Sequence, residues 1–340
     1  LPPPKGSQHH GGPIVTSVTG GPSRPGRLAL SDKLGNVSKP RVTLATCLDH
    51  PGLHPGEEGL PDALADRGID PRVAAWDDES VDWSEAGIVV LRAVHNYAAR
   101  RDDFLRWTRQ IPKLLNNADV VEWNTDKHYL RELGERGMPT IETVWLEPDA
   151  GLTKHQVHTR FPSLGDFVVK PAVSSGARDT GRFTARDAKS RMEAIQHAYR
   201  LLQDGRAVMV QRYVQSVDER GETALIYLNG VLSHTVEKKA MLHGPLASPG
   251  TVSEELVGAR EATEQELWLG ELARAAIHGY IKSRMGRDAQ LLFCRIDMVD
   301  GDNGHPRVME VSLVDASLYL GTTENGLENF ADAIASRAFW

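Results

Sequence analysis

Residues 167–180 read FVVKPAVSSGARDT, an apolar run that ends in lysine and proline and then opens into a loop of small residues. Lys170 puts one cation at the end of a strand-like segment, a geometry that suits a polyphosphate, although a short glycine loop alone is common. A second chemical signal lies near the other end of the chain. Asp297 sits inside LLFCRIDMV and Glu310 inside RVMEVSL, each a carboxylate in an otherwise apolar strand. Burying a carboxylate without a partner costs several kcal/mol, so positive charge must face them. Arg295, two residues before Asp297, points to the same side of its strand and can neutralise one acid. Mg2+ held between carboxylates and substrate phosphates accounts for both. Lys127 falls in the first turn of an expected helix, where a cation opposes the helix dipole. A bound anion would explain that placement; a solvated surface lysine is the alternative.

These residues need elements to position them. From Arg41 onward, strands at RVTLATC (41–47), DPRVAAWDD (70–78) and AGIVVLRAV (86–94), with a helix over 57–68, predict an open parallel sheet. Ligands of such sheets sit at the carboxyl ends of strands. That brings Cys47 to His50, Trp76 to Asp78 and Arg92 to Tyr97 toward one crevice, and Arg92, His95, Asn96 and Tyr97 are the candidates to meet a substrate. A loop with a surface arginine and histidine is the plainer reading. NTDKHYLRELGERGMP (124–139) predicts a helix capped by Asn124 or Thr125 and stopped by Gly137 and Pro139. Strands follow at MPTIETVWL, FVVKPAV and RAVMVQRYV, with a helix between the last two. GETALIYLNG and VLSHTVEKKA form a hairpin turning at Asn229 and Gly230. A long helix over 263–286, the two acid-bearing strands and an amphipathic helix complete the chain.

Composition narrows the function classes. With 39 Lys and Arg against 46 Asp and Glu, the formal charge is −7, so no basic excess points to nucleic acid. No stretch approaches the ~20 apolar residues of a membrane span, so no membrane partner is expected. Cys47 and Cys294, the only 2 cysteines, each lie in an apolar segment and predict buried free thiols in a reducing, cytoplasmic setting. Residues 1–40 are rich in Pro, Gly and Ser without periodicity and read as a disordered leader, in which His9 and His10 are inert rather than metal-binding.

The order Lys127, VVKPAVSSGA, VQRYV, GETALIYLNG, RIDMV and MEVSL resembles the ATP-grasp superfamily. Within it, VLRA with the following NY, VEWNTDKHYL, VVKPAVSSGARDT, VQRYVQSV, GVLSH and SLVDASLYL resemble the O-ureido-serine cyclo-ligases of cycloserine biosynthesis, over about residues 41–340. The resemblance implies a mixed α/β and α+β fold. A leader (1–40) would precede a Rossmann-like lobe (41–123), followed by the two lobes that clasp ATP, a lid (124–214) and a C-terminal subdomain (215–340). It implies that Lys127 and Lys170 hold the α- and β-phosphates, and that Ser174, Ser175, Gly176 and Ala177 fold over them. Gln211, Tyr213 and Val214 would meet the adenine, and Glu222 the ribose. Asp297 and Glu310, with Ser312 as a further ligand, would bind Mg2+, and Arg295 would act catalytically on the transferred phosphoryl or the tetrahedral oxyanion. Ser317 joins the substrate candidates, as do His234 and Lys238, which could reach the acyl acceptor or be surface groups of the hairpin.

The implied activity is an ATP-dependent, ADP-forming carboxylate–amine ligase working through an acyl phosphate, with a small-molecule carboxylate and amine as substrates. A cyclo-ligase on an O-substituted serine-like amino acid, a ligase joining two substrates, a small-molecule kinase and a weakly catalytic ATP-binding protein are the alternatives. The oligomeric state is left open, a homodimer included. Ser312 departs from the asparagine or acid usual at its position, RAVHNYAAR replaces a segment that usually carries Trp-Asp, and the segment after Lys238 lacks a paired-glycine loop.

Overall fold

A computed structural model describes residues 39–242, 255–286 and 290–339. The leader, with His9 and His10, and most of the segment after Lys238 that lacks a paired-glycine loop lie outside the described residues. The first sheet is parallel, in the order β2-β1-β3-β4: β1 Arg41–Thr46, β2 Asp70–Ala75, β3 Ile88–Leu91 and β4 Leu114–Leu115. β1 beyond Arg41 and all of β3 are buried, as strands covered on both faces must be. Helix α1 (Leu60–Asp66), with proline at its start, packs Leu60, Ala63 and Leu64 on this sheet. Helix α2 (Arg101–Gln110) packs Phe104 and Trp107 on the other core cluster.

Of the helix expected over 124–139 only α4 (Tyr129–Glu135) forms; Asn124 instead ends an unforeseen helix, α3 (Ala118–Asn124), whose start is capped by the Asn117 side chain accepting from Val120 N. Lys127 therefore lies in the turn between them rather than in a first turn, and its N–H donates to the carbonyl of Ala172 at 2.9 Å.

The second sheet is antiparallel, in the order β5-β8-β6-β7: β5 Thr143–Leu146, β6 Asp166–Pro171, β7 Gly181–Thr184 and β8 Val208–Arg212. β7 falls inside the stretch expected to be loop; four residues are too few for a strand period to show. α5 (Lys154–His158) and α6 (Ala188–Gln203) close this layer over Phe167, Phe183 and Leu201. After α7 (Ser216–Arg220) comes the third sheet, also antiparallel, in the order β11-β10-β9-β12-β13. It comprises β9 Glu222–Leu228, β10 Val231–Lys238, β11 Val257–Ala259, β12 Phe293–Asp300 and β13 Pro306–Ser312. The β9–β10 turn uses Asn229 and Gly230 at φ 47° and 81°, the left-handed pair that a tight hairpin requires.

α8 (Glu264–Met285) backs the third sheet, with Leu269, Ala273 and Ile277 in one core with Leu225, Ile296 and Val311. α9 (Gly326–Ala338) packs toward the first sheet's core. Side chains cross between layers to fix their relation. Asn116 donates to the carbonyls of Phe293 and Leu313 at 2.9 and 2.8 Å, and Asn124 bridges Val311 and Leu313 at 2.8 Å each. Cys47 and Cys294 are free and buried. Among the described residues no helix is long and apolar enough to cross a membrane.

Candidate active site

A cavity of about 730 Å3 is lined by residues of the second and third sheets and of loops at the end of the first. Two lysines enter it from different elements. Lys170, near the end of β6, is buried, and burial pushes its pKa down to about 8 despite the facing Glu310. Lys127 reaches across from the α3–α4 turn, donating to the Ser174 carbonyl at 2.9 Å and standing 3.4 Å from Glu310 Oε1. Burial would push the Glu310 carboxyl up, but Lys127, Lys170, Arg295 and Lys238 hold it down at about 2. Glu310 is therefore an anion with a surplus of positive charge around it, the field that a polyphosphate needs.

Strand register brings the acids together. Asp297 on β12 lies opposite Glu310 on β13, and Arg295 lies opposite Ser312. Arg295 donates twice to Asp297 Oδ2, at 2.8 and 3.1 Å, and Lys238 Nζ stands 3.4 Å from the same oxygen. Asp297 Oδ1 is buried and has no hydrogen-bond partner. That orphaned oxygen, beside a Glu310 that faces the cavity, suits a hard divalent cation such as Mg2+. Among the described residues no three His, Cys, Asp or Glu side chains form a metal cluster, so the remaining ligands would be substrate oxygens and water.

Glu222 opens β9 and binds Lys238 Nζ at 2.9 Å. Gly221 makes this possible: at φ 70°, a Cβ there would sit 2.3 Å from the Lys238 carbonyl oxygen. Lys238 lines the cavity but is held by Glu222, Asp297 and Glu255. The 174–177 loop turns through left-handed backbone at Gly176 and Ala177, φ 62° and 53°, which small residues tolerate best. Ser175 Oγ donates to Asp315 Oδ2 at 2.6 Å, and Arg178 donates to the His95 carbonyl at 2.8 Å, so the loop rests on the segment after β13 and on the end of the first sheet. Gln211, Tyr213 and Val214 line the cavity at the end of β8. The Arg182 guanidinium lies 3.6 Å from the Tyr213 ring centroid, which fixes that ring.

Of the expected substrate residues, His95, Tyr97, Lys238 and Ser317 line the cavity. Arg92, Asn96 and His234 do not. Arg92 is fully buried and donates to Glu57 at 2.9 Å and to the Ala316 carbonyl at 3.0 Å; its counterion 35 residues away gave no local signal. Asn96 spends its amide on Trp76 and Asp77, at 2.7 Å each. A register shift between Leu232 and His234 turns His234 toward the Leu318 carbonyl, 2.7 Å from Nε2. Asp315, His54, Glu255 and Tyr319 also line the cavity, beyond the residues that the sequence singles out. Asp315, an acid in an apolar run, carries the same signal that marked Asp297 and Glu310; His54 carries none.

Two antiparallel sheets closing on a cavity of paired lysines and cross-strand acids, with a parallel sheet in front, define an ATP-grasp ligase. The D-alanine–D-alanine ligase of Bacillus anthracis shares the fold at a TM-score of 0.57 with 13% identity, over 88% of this chain and 97% of that one. The crystal structure of D-cycloserine synthetase DcsG superposes at a TM-score of 0.77 with 32% identity, over 87% of this chain and 99% of that one. The cycloserine biosynthesis protein DcsG of Streptomyces lavendulae is 34% identical over 283 residues, 82% of this chain and 92% of its own length. Residues 42–116 match the family model for the N-terminal domain of D-cycloserine synthetase DcsG. The chain belongs to the DcsG family. It is an ATP-dependent, ADP-forming ligase, and ATP with Mg2+ is general to ligases of this fold.

Proposed function

We propose that the protein phosphorylates the carboxylate of an O-substituted serine-like amino acid with ATP and closes a cyclic amide on it. The observation that carries this reading is the single cavity in which Lys127, Lys170, Arg295 and Glu310 face His95, Tyr97 and Ser317. A carboxylate accepts an amine poorly because oxide is a poor leaving group. Transfer of the γ-phosphoryl gives an acyl phosphate, the nitrogen attacks the acyl carbon, and phosphate departs with the C–O electron pair.

The chain's own residues supply position and charge. Lys127 and Lys170 take the α- and β-phosphates, the 174–177 loop covers them, and Gln211 to Val214 and Glu222 hold adenine and ribose. Arg295, freed in part from Asp297 as charge shifts, steadies the phosphoryl and then the tetrahedral oxyanion. Mg2+ held by Asp297 and Glu310, with Ser312 as a weak partner, would neutralise charge on the phosphates. We assign the lobes as 41–123, 124–214 and 215–340, with the first turns of the lid, through Leu133 and Met138, packed on the third sheet's core.

Hydroxylamine trapping tests the chemistry. With ATP, Mg2+ and an O-substituted serine, the reaction should yield ADP and a hydroxamate of that amino acid. ADP formed with a phosphorylated, hydroxylamine-stable product would make the protein a kinase and overturn the reading.

A further inference from the structure

Asp315 lies in the segment after β13; its side chain is 2% exposed, and it lines the cavity. Its two oxygens are in different situations. Oδ2 accepts from Ser175 Oγ at 2.6 Å and pairs with His95 Nδ1 at 3.0 Å. Oδ1 is buried and has no hydrogen-bond partner. His54 Nε2 stands 3.7 Å from Oδ1 but is engaged by the Arg92 carbonyl at 3.2 Å, and His54 Nδ1 faces Ser317 Oγ at 3.3 Å. Burial lowers the His54 pKa, and with Nε2 turned to the Arg92 carbonyl the ring stands beyond hydrogen-bond distance of Oδ1.

The acid itself is ionised. Burial alone would raise its pKa, but the hydrogen bond and charge of His95, with the Ser175 hydroxyl, bring it below the usual range. A buried, ionised oxygen without a donor is unfavourable, so the arrangement is complete only when a donor reaches Oδ1. An anion selects a cation. With Oδ2 already filled, one free oxygen suits a compact ammonium better than a guanidinium fork, which needs both. The position fits an amino acid: Arg295 donates to the carbonyl of Ser317, two residues on, at 3.0 Å, so acid and arginine serve neighbouring parts of one segment.

We infer that Asp315 Oδ1 is the subsite for a primary ammonium of the substrate. The subsite rests on the amino-acid reading above and adds the group by which the substrate is chosen. Gly56 shapes this end of the cavity: at φ 82°, a Cβ there would stand 3.1 Å from Gly321 N, so the two loops close backbone to backbone. Ser175 docks on the same carboxylate, so the 174–177 loop lies beside the subsite.

The test compares amino compounds with their deamino counterparts, each titrated by calorimetry into enzyme holding AMP-PNP and Mg2+. D-Serine and L-serine are each paired with 3-hydroxypropanoate and O-methyl-D-serine with 3-methoxypropanoate, and D-cycloserine is compared with its N-acetyl derivative. In the wild type, an amino compound should bind about tenfold to a hundredfold more tightly than its counterpart. Asp315→Asn should bring the two within about threefold while AMP-PNP still binds. Ser175→Ala unties the loop but leaves the carboxylate, so the preference should persist. Equal binding of both compounds to the wild type overturns the subsite, a measurement that needs no variant to fold. A preference that survives in Asp315→Asn also overturns it. If AMP-PNP binds and no amino compound does, the amino-acid reading falls and the ammonium subsite falls with it.

Discussion

At the scale of single residues, the site is a set of charges whose values depend on each other. Burial brings Lys170 to about 8 against the pull of Glu310, with Lys127 adding to the fall. In the free enzyme this cation is lost as pH rises through about 8, so kcat/KM for ATP should decline above that pH. Lys170→Arg keeps its charge at any such pH and should abolish the decline, whatever its cost in rate. A wild-type profile flat across pH 8 would show that Lys170 keeps its proton through this range in the free enzyme. Ser312 makes a second case. It lies opposite Arg295 and lines the cavity, where a hydroxyl binds Mg2+ weakly or through water. Activity should therefore saturate only at high Mg2+, and Ser312→Asn should shift the curve to lower Mg2+ with the KM for the amino-acid substrate little changed. Superimposable Mg2+ titrations would place Ser312 away from the metal.

At the scale of elements, Gly221 shows how backbone sets chemistry. A Cβ at this position would meet the Lys238 carbonyl oxygen at 2.3 Å, in a left-handed conformation at φ 70°. Gly221→Ala should cost about 1–3 kcal/mol in denaturant stability. It should also raise the KM for ATP, because the start of β9 must move and carries Glu222 with it. Unchanged stability and KM would mean that the contact relaxes freely. The same scale explains what could be read from the sequence. Lys170, Asp297 and Glu310 were legible because each is a charge inside an apolar run, where burial demands a partner. The hairpin was legible because Asn229 and Gly230 have a backbone requirement of their own. β7, at Gly181–Thr184, was not, since four residues carry no period. The start of α4 at Tyr129 rather than near Asn124 was hidden because the Lys127 N–H meets the Ala172 carbonyl, a contact made only in the folded chain. His234 faces away from the cavity because of a register shift that no alternation rule foresees.

At the scale of the whole molecule, the position of the cavity depends on how the first sheet is fastened to the third, and Arg92 is one fastening beside Asn116. It is fully buried just after β3, pairs with Glu57, and donates to the Ala316 carbonyl in the segment that carries Asp315 and Ser317. Its guanidinium also lies 5.3 Å from the ring centroid of Phe293 on β12 and 5.0 Å from that of Phe330 on α9. Removing one partner of a buried pair leaves the other charge without compensation, which costs about 3–5 kcal/mol, whereas replacing both with apolar groups of similar volume is often neutral or better. Glu57→Gln should therefore destabilise the protein by about 3–5 kcal/mol in urea unfolding, and the double variant Glu57→Leu, Arg92→Met should recover most of that loss. The double variant should nonetheless bind its amino substrate more weakly, because the Ala316 carbonyl loses the donor that holds Asp315 and Ser317 against His54. A Glu57→Gln protein as stable as the wild type would show that Arg92 finds another counterion. A stable double variant with unaltered substrate KM would show that the segment after β13 keeps its place without the arginine.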